Sequence, residues 1–450
     1  MIRKIIFAFM LFLVASPAWA QSGANKDSDS DKPAPRYANM PDEAVPYRRF
    51  VKPYYDWFIQ TDTLAYYGAA EKRPDGDPTK LSEIAIGLFA PVENNPESIF
   101  GIRLWHGAQL AVEEANARGG YHGKPYALKV HNESALWGAS SSELVKMLFD
   151  ENCWAMLGCV DGQNCHIAIR ETLKLEVPIV NVGTTDPTVT ETRVQWIMHD
   201  FLDDRQQGYT LADYVFKKLR LKRIGVIRTQ TRYARIGVEK FNDEARRMGH
   251  QVILEVKFER GDKDFTPELR MLKAAKIEGV VIWGEAADAG LILKQMRAMG
   301  MNQPVFGGSR LAYPQLLELA GPAAEGIVMT TTLDPTRRDP KWLAFREAYR
   351  KRFNEEPIDY AAYAYDGMNI LTSTIEKVGL NRGRIMAALR DYQMKTYEGV
   401  TGKAFFDHTL NNISPVTMAR VKDGKFEYWL APRQGGHEGA GSTLGGRSGQ

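Results

Sequence analysis

Short apolar runs punctuate the chain at regular intervals. They are EIAIGLFA (83–90), PYALKVH (125–131), CWAMLG (153–158), PIVNVG (178–183), RIGVIRT (223–229), QVILEVKF (251–258), GVVIWG (279–284) and GIVMTT (326–331). None alternates strictly between apolar and polar residues, which is the pattern of strands covered on both faces. Between the runs the period lengthens to that of a helix. Leu104, Ala108, Ala111/Val112 and Ala115 recur at three- and four-residue steps until Gly119-Gly120 stops them, and Leu211, Val215 and Leu219 do the same. Strands alternating with helices predict mainly parallel sheets with helices on both faces. Ligands of such sheets lie outside the carboxyl ends of the strands. The rhythm restarts after about residue 203, which predicts two similar lobes.

The two ends of the chain break this pattern. Residues 1–20 carry Arg3 and Lys4, an apolar stretch from Ile5 to Ala15, and the A-x-A pattern Ala18-Trp19-Ala20. This is the form of a cleaved export signal, and the stretch is shorter than the ~20 residues a spanning helix needs. No cysteine follows the cleavage site, so a soluble exported protein is expected rather than a lipid-anchored one. Residues 21–45 are polar and Pro-containing, as disordered segments are. Residues 46–70 contain PYRRFVKPYYDWFIQTDTLAYYG, whose aromatic density suits packing against its own domain or a partner protein. Residues 433–450 are Gly/Ser-rich and expected to be flexible.

Charge excludes some partners. The 58 basic residues, less Arg3 and Lys4, leave 56 against 55 acids, a balance that favours neither nucleic acid nor a polybasic membrane surface. Cys153, Cys159 and Cys165 follow a C-x5-C-x5-C spacing unlike the short pairs of zinc sites. In an oxidising compartment Cys159 and Cys165, which flank VDGQN, are the pair more suited to a disulfide, and Cys153 reads as a buried apolar residue.

Catalytic machinery is missing. There is no G-x-S-x-G elbow, P-loop, H-E-x-x-H or G-x-G-x-x-G after the first strand. Histidines are scattered, and only His131 with Glu133, or His166 near Cys165, have a chance of converging at a strand end. Neither an enzyme, nor a metal site, nor a cofactor is expected. At PIVNVGTTDP a strand runs into Gly183, Thr184, Thr185 and Asp186, which suits either a loop that holds a ligand by its backbone or an ordinary turn.

From Glu83 to Leu430 the chain resembles the type I periplasmic solute-binding proteins of ABC importers, in the branch that binds leucine, isoleucine and valine. The resemblance is carried by IAIGLFAPVENNPESIFGIRLWHGAQLAVEEANARGGYHGKPYALKV and WAMLGCVDGQNCHIAIRETLKLEVPIVNVGTTDP. DDRQQGYTLADYV, RIGVIRTQTRYARIGVEKF, FERGDKDFTPELRMLKAAKIEGVVIWG, YAAYAYDGMNIL and YEGVTGKAFFDHTLNN then follow in order. It implies an α/β fold of two Rossmann-like lobes with mainly parallel sheets, joined by three crossovers near 200–204, 331–335 and 411–416. Lobe 1 is expected to comprise 83–201 and 335–412, and lobe 2 to comprise 202–334 and 413–432, with residues 21–82 as an extension. The lobes would close on a ligand like a hinge.

The resemblance also implies a site. Gly183 and Thr185 fall on positions that hold the ligand carboxylate, Gly183 by close backbone approach and Thr185 by its hydroxyl. A helix start after them would offer N–H groups to an anion, with Asp186 as its cap. Gly162 stands where amino-acid binders present a serine, leaving the backbone N–H groups of Gly162 and Gln163. Phe100 falls at an aromatic wall or packs at a helix start. Tyr233 matches a tyrosine that covers the ligand from lobe 2. Where the family places an acid for the ligand ammonium stands Ser309, followed by Arg310. Glu285 near the family's further aromatic position suits a displaced acid or a solvated loop carboxylate. Arg310 suits the second carboxylate of a dianionic ligand, or Glu285 itself.

The expected function is capture of a small carboxylate-bearing solute, amino-acid-like or an organic acid, for an ABC permease in the inner membrane. The alternative is an exported sensor or accessory module that docks a partner protein through residues 46–70.

Overall fold

The computed structural model describes residues 74–431, apart from Ala135, Arg193 and Met394. The export signal, the aromatic segment 46–70 and the Gly/Ser-rich tail lie outside the described residues.

The element order is β1 (Ile84–Ala90), α1 (Ser98–Ala117), β2 (Tyr126–Asn132), α2 (Trp137–Val145), β3 (Ala155–Gly158), α3 (Gly162–Leu175), β4 (Ile179–Asn181), α4 (Thr188–Glu191) and β5 (Ile197–His199). It continues through α5 (Asp204–Ala212), β6 (Ile224–Thr229), α6 (Arg232–Arg247), β7 (Val252–Phe258), α7 (Thr266–Ala274), β8 (Gly279–Trp283), α8 (Ala286–Ala298), β9 (Val305–Gly307), α9 (Pro314–Ala320) and β10 (Val328–Thr331). The chain ends with α10 (Pro340–Phe353), α11 (Asp359–Val378), α12 (Arg382–Leu389), β11 (Thr396–Gly399), β12 (Gly402–Phe405), β13 (Thr417–Lys422) and β14 (Lys425–Leu430).

These elements form two lobes. The first sheet has the order β2-β1-β3-β4-β5 and is parallel throughout. The second has the order β14-β13-β10-β9-β8-β6-β7, parallel except where β13 meets β10 and β14. Every residue of β1, β3, β4, β6 and β8 is buried, as continuous apolar runs require when helices cover both faces. In lobe 1, α1 and α11 cover one face. They pack so closely that a Cβ on Gly107 would lie 2.0 Å from the carbonyl oxygen of Ala361. The other face buries Leu144, Met147, Ile167 and Ile169 of the α2 and α3 region. In lobe 2, Leu211 and Phe241 of α5 and α6 lie on one face, and Leu269, Ile292 and Leu316 of α7, α8 and α9 on the other.

Each apolar run of the sequence contains a strand. Two three-residue strands, β5 and β9, are too short to show a period. The β13–β14 hairpin was overlooked although its signal is in the sequence: Asp423-Gly424 joins two apolar stretches, and both residues have positive φ (51° and 70°), the two-residue turn that suits strand twist. The helix through Leu211 ends at Ala212 and widens into a π turn over Asp213–Lys218, so Val215 is buried while Leu219 is 39% exposed.

The chain passes between the lobes three times, and polar contacts tie these passages together. Asn412 donates to the carbonyl of Asp200 (2.7 Å) and its carboxylate (3.1 Å), and Asn411 donates to Asp203 (2.9 Å). Asp203 also caps α5 through the Gln206 N–H (2.9 Å). At the second passage, after β10, Thr332 donates to Asp359, and Tyr363 to the carbonyl of Thr332 (3.1 Å). Cys153, Cys159 and Cys165 are buried free thiols, which corrects the expected Cys159–Cys165 disulfide. Asn181 Nδ2 instead donates to Cys165 Sγ at 3.0 Å. No helix among the described residues is long and apolar enough to cross a membrane.

Candidate ligand cleft

The carboxyl ends of the strands in both lobes face one another. Lobe 1 brings the loops after β1, β3 and β4, and lobe 2 those after β6, β8 and β9. The free space left between them is about 10 Å³, room for about one water molecule, and is lined by Glu97, Thr184, Asp204, Arg232, Tyr233 and Arg310 among others.

At its centre is Arg310, 2% exposed, on the turn after β9. Its Nη1 donates to Glu97 (2.8 Å) and Glu285 (3.0 Å), and Arg260 Nη2 donates to the same two oxygens at 2.9 Å each. Its guanidinium lies 4.8 Å from the ring centre of Phe100 and 4.3 Å from that of Tyr233, a cation held by rings of both lobes. Burial works against the charge on Arg310, but Glu97 and its neighbours outweigh it and hold the pKa well above the usual value. Burial likewise opposes the charge on Glu97, and the two arginines together still pull its pKa below the ordinary range.

Asp186 forms a second link between lobes. Arg232 Nε donates to its Oδ2 at 2.6 Å, while its Oδ1 accepts from the N–H (2.9 Å) and hydroxyl (2.7 Å) of Thr188. Burial favours the neutral acid, yet Arg232 and Thr188 hold Asp186 ionised and its pKa lowered. Asp204 is the reverse. Its Oδ2 accepts from Thr185 Oγ1 (2.7 Å), its Oδ1 is buried with no partner among the described residues, and burial raises its pKa well above the carboxylate range.

The positions named from the sequence fare differently. Phe100, Tyr233, Glu285 and Arg310 converge, and Phe100 also packs at the start of α1, stacked on Tyr360 at 4.7 Å. Glu285 is paired, not a solvated loop carboxylate. Ser309 is buried at the start of the same turn and is not part of the cleft lining, while Arg310 N–H donates to the Tyr233 hydroxyl at 3.3 Å.

The loop after β4 lines the cleft at Thr184 and Thr185, with several of its polar groups already engaged. The N–H groups of Gly183 and Thr184 both donate to Asn181 Oδ1 (3.2 Å each), and the Thr185 hydroxyl is spent on Asp204. Gly183 is required by packing, because a Cβ there would stand 2.6 Å from the carbonyl oxygen of Cys159. The helix that follows, α4, is a single turn, and Asp186 serves both its first N–H, at Thr188, and Arg232. Gly162 opens α3, capped by Asp161. A Cβ on Gly162 would lie 2.4 Å from Asp186 Oδ2, which explains why no serine stands there. The Gln163 side chain is exposed and outside the cleft lining.

Sequence reasoning missed Glu97, Asp186 as an ion-pair partner, Arg232, Asp204 and Arg260. The visible signal was their position: Glu97 immediately before α1, and Arg232 beside Tyr233 at the start of α6. No group of three or more His, Cys, Asp or Glu among the described residues could hold a metal ion.

A family model described as periplasmic binding protein matches residues 83–425. The chain belongs to the periplasmic binding protein family. It is similar to the Leu/Ile/Val-binding protein homolog 2 of Brucella abortus, with 26% identity over 359 residues, 78% of this chain and 94% of the relative. Among solved structures, LivJ from Streptococcus pneumoniae, crystallised with isoleucine, shares 26% identity at a TM-score of 0.70, covering 77% of this chain and 99% of that one. The leucine-binding protein LivK from Thermotoga maritima shares 25% identity at a TM-score of 0.69, covering 77% and 97%. The fold is thus that of type I periplasmic binding proteins in the branched-chain amino acid branch, whose members are solute-binding proteins rather than enzymes.

Proposed function

We propose that this periplasmic binding protein is exported through its residue 1–20 signal and captures a small carboxylate-bearing solute between its lobes for an ABC-type importer. The lobes are 83–201 with 335–412, and 202–334 with 413–432. The observation that carries the reading is the buried guanidinium of Arg310, gripped by Phe100 of one lobe and Tyr233 of the other at the mouth of the facing strand ends. Its Nη1 is held by Glu97 and Glu285, and its buried Nε, without a partner among the described residues, offers an incoming carboxylate a charged donor. Tyr233 supplies the lid, and Glu97 and Arg232 link the lobes as they close. Phe100, Thr184, Tyr233, Glu285 and Arg310 are the residues assigned to the site. The relatives named for Leu/Ile/Val binding support a solute of this size.

Thermal-shift measurements with amino acids, amides, aromatic acids, dicarboxylates and 2-oxo acids test the reading. Because a bound ligand stabilises the folded state by mass action, a true solute at 100 times its Kd adds about 2.7 kcal/mol. A panel in which no carboxylate raises the melting temperature would sink it.

A further inference from the structure

The charges around the cleft are already matched. Glu97 and Glu285 face Arg260 and Arg310, and Asp186 faces Arg232, three carboxylates against three guanidinium groups. The remaining acids, Asp161 and Asp204, are pushed towards the neutral form by burial first of all. An α-ammonium entering this cleft finds no carboxylate without a cation of its own, and it meets Arg310 where a family acid would stand. Like charges in a desolvated site disfavour each other's charged form.

Beside the buried Nε of Arg260, two polar atoms of the residues that line the cleft are left over. Arg310 Nε and Asp204 Oδ1 are both buried, both belong to residues lining the cleft, and neither has a hydrogen-bond partner among the described residues. Leaving such groups unpaired costs about 1–3 kcal/mol each, so a ligand that satisfies both is favoured over one that satisfies neither. Nε can only donate, which suits a carboxylate oxygen. Asp204 Oδ2 already accepts the Thr185 hydroxyl, so the proton of the neutral acid belongs on Oδ1, which then donates to an acceptor oxygen. Val160 and Ile236 supply apolar wall.

We propose that the cleft is specific for a short aliphatic 2-oxo or 2-hydroxy acid, with the ligand carboxylate on Arg310 and its 2-oxygen on Asp204. This rests on the solute-binding reading and names its ligand class. Arg310 is the specificity-determining residue, rejecting zwitterionic amino acids of the same carbon skeleton.

The test is calorimetric titration of the purified protein with four compounds sharing one skeleton: 4-methyl-2-oxopentanoate, 2-hydroxy-4-methylpentanoate, 4-methylpentanoate and leucine. The 2-oxo or 2-hydroxy acid is expected to bind about ten- to a hundredfold tighter than both 4-methylpentanoate and leucine, the worth of one satisfied buried group. Arg310→Gln is expected to lose the preference for the acids over leucine, and Arg310→Lys, which keeps the charge, to retain part of it. Because Arg310 also joins the lobes, the ranking on the unaltered protein decides if the variants fail to fold. Leucine binding as tightly as the oxo acid overturns the ligand class and leaves the solute-binding reading intact. The same holds if another class in the thermal-shift panel binds while all four probes fail. No binding by any small acid overturns both.

Discussion

Arg232, the first residue of α6, donates its Nε to Asp186 Oδ2 at 2.6 Å, joining the start of a lobe 2 helix to the loop after a lobe 1 strand. The pair is asymmetric: the Asp186 side chain is 4% exposed and that of Arg232 23%. Removing the arginine therefore strands a buried carboxylate rather than a solvated one.

Arg232→Ala is expected to cost about 1–3 kcal/mol of closed-state stability, discounted for the exposure of the arginine. If closure is coupled to binding, that reads as roughly a ten- to hundredfold loss of ligand affinity by calorimetry. Small-angle scattering would show a larger radius in the presence of ligand than for the unaltered protein. Unchanged affinity and radius would mean the pair does not hold the lobes together.

Gly183→Ala tests whether that glycine serves packing. With a Cβ set 2.6 Å from the Cys159 carbonyl and 3.0 Å from Leu104 Cδ1, the expected loss is about 1–3 kcal/mol, read as a lower urea midpoint. The order of ligand preference should be unchanged, because its N–H is already bound to Asn181. A reversed ligand order with full stability would instead restore the glycine to the ligand site.

The buried acids should make stability fall as pH rises towards neutrality, opposed by His166 and His199, whose pKa values burial lowers. Burial pushes Asp203 up to about 6, against the donors Gln206 and Asn411 and with help from Asp407. A raised acid pKa means the folded state holds the proton more tightly than the unfolded one. Its contribution is complete below the unfolded value near 4 and is lost as pH rises through 6. Between pH 5 and pH 7 this amounts to roughly 1 kcal/mol for Asp203, and Asp366, also raised to about 6, adds in the same direction. Urea midpoints measured at both pH values should differ accordingly. Asp203→Asn should flatten the slope, since it removes one of the two titrating groups.

The three buried thiols should be silent to an aromatic disulfide reagent in the native protein and react after denaturation without reductant. Burial raises the pKa of Cys153 to about 12 and that of Cys159 well above the usual thiol value, so little thiolate exists even where a reagent could reach. One thiol in the denatured protein, instead of three, would mean that Cys159 and Cys165 are bonded.

The sequence by itself determined the layered α/β architecture. Runs such as IAIGLFA and GVVIW are apolar at every position, and only a strand sandwiched between helices hides all of its side chains, so strand type and parallel pairing follow from composition. It also placed Phe100, Tyr233, Glu285 and Arg310 at strand ends, and they do meet. Only the tertiary structure decided what the polar groups of those ends do. A hydroxyl at Thr185 or an N–H at Gly183 looks the same in sequence whether it faces a ligand or a neighbour. Asp204 meets Thr185 through the fold, while Asn181 turns back onto Gly183 from two residues away. Ion pairs such as Glu97 with Arg310 join residues over two hundred positions apart, and their strength depends on shared burial, a property that no local pattern carries.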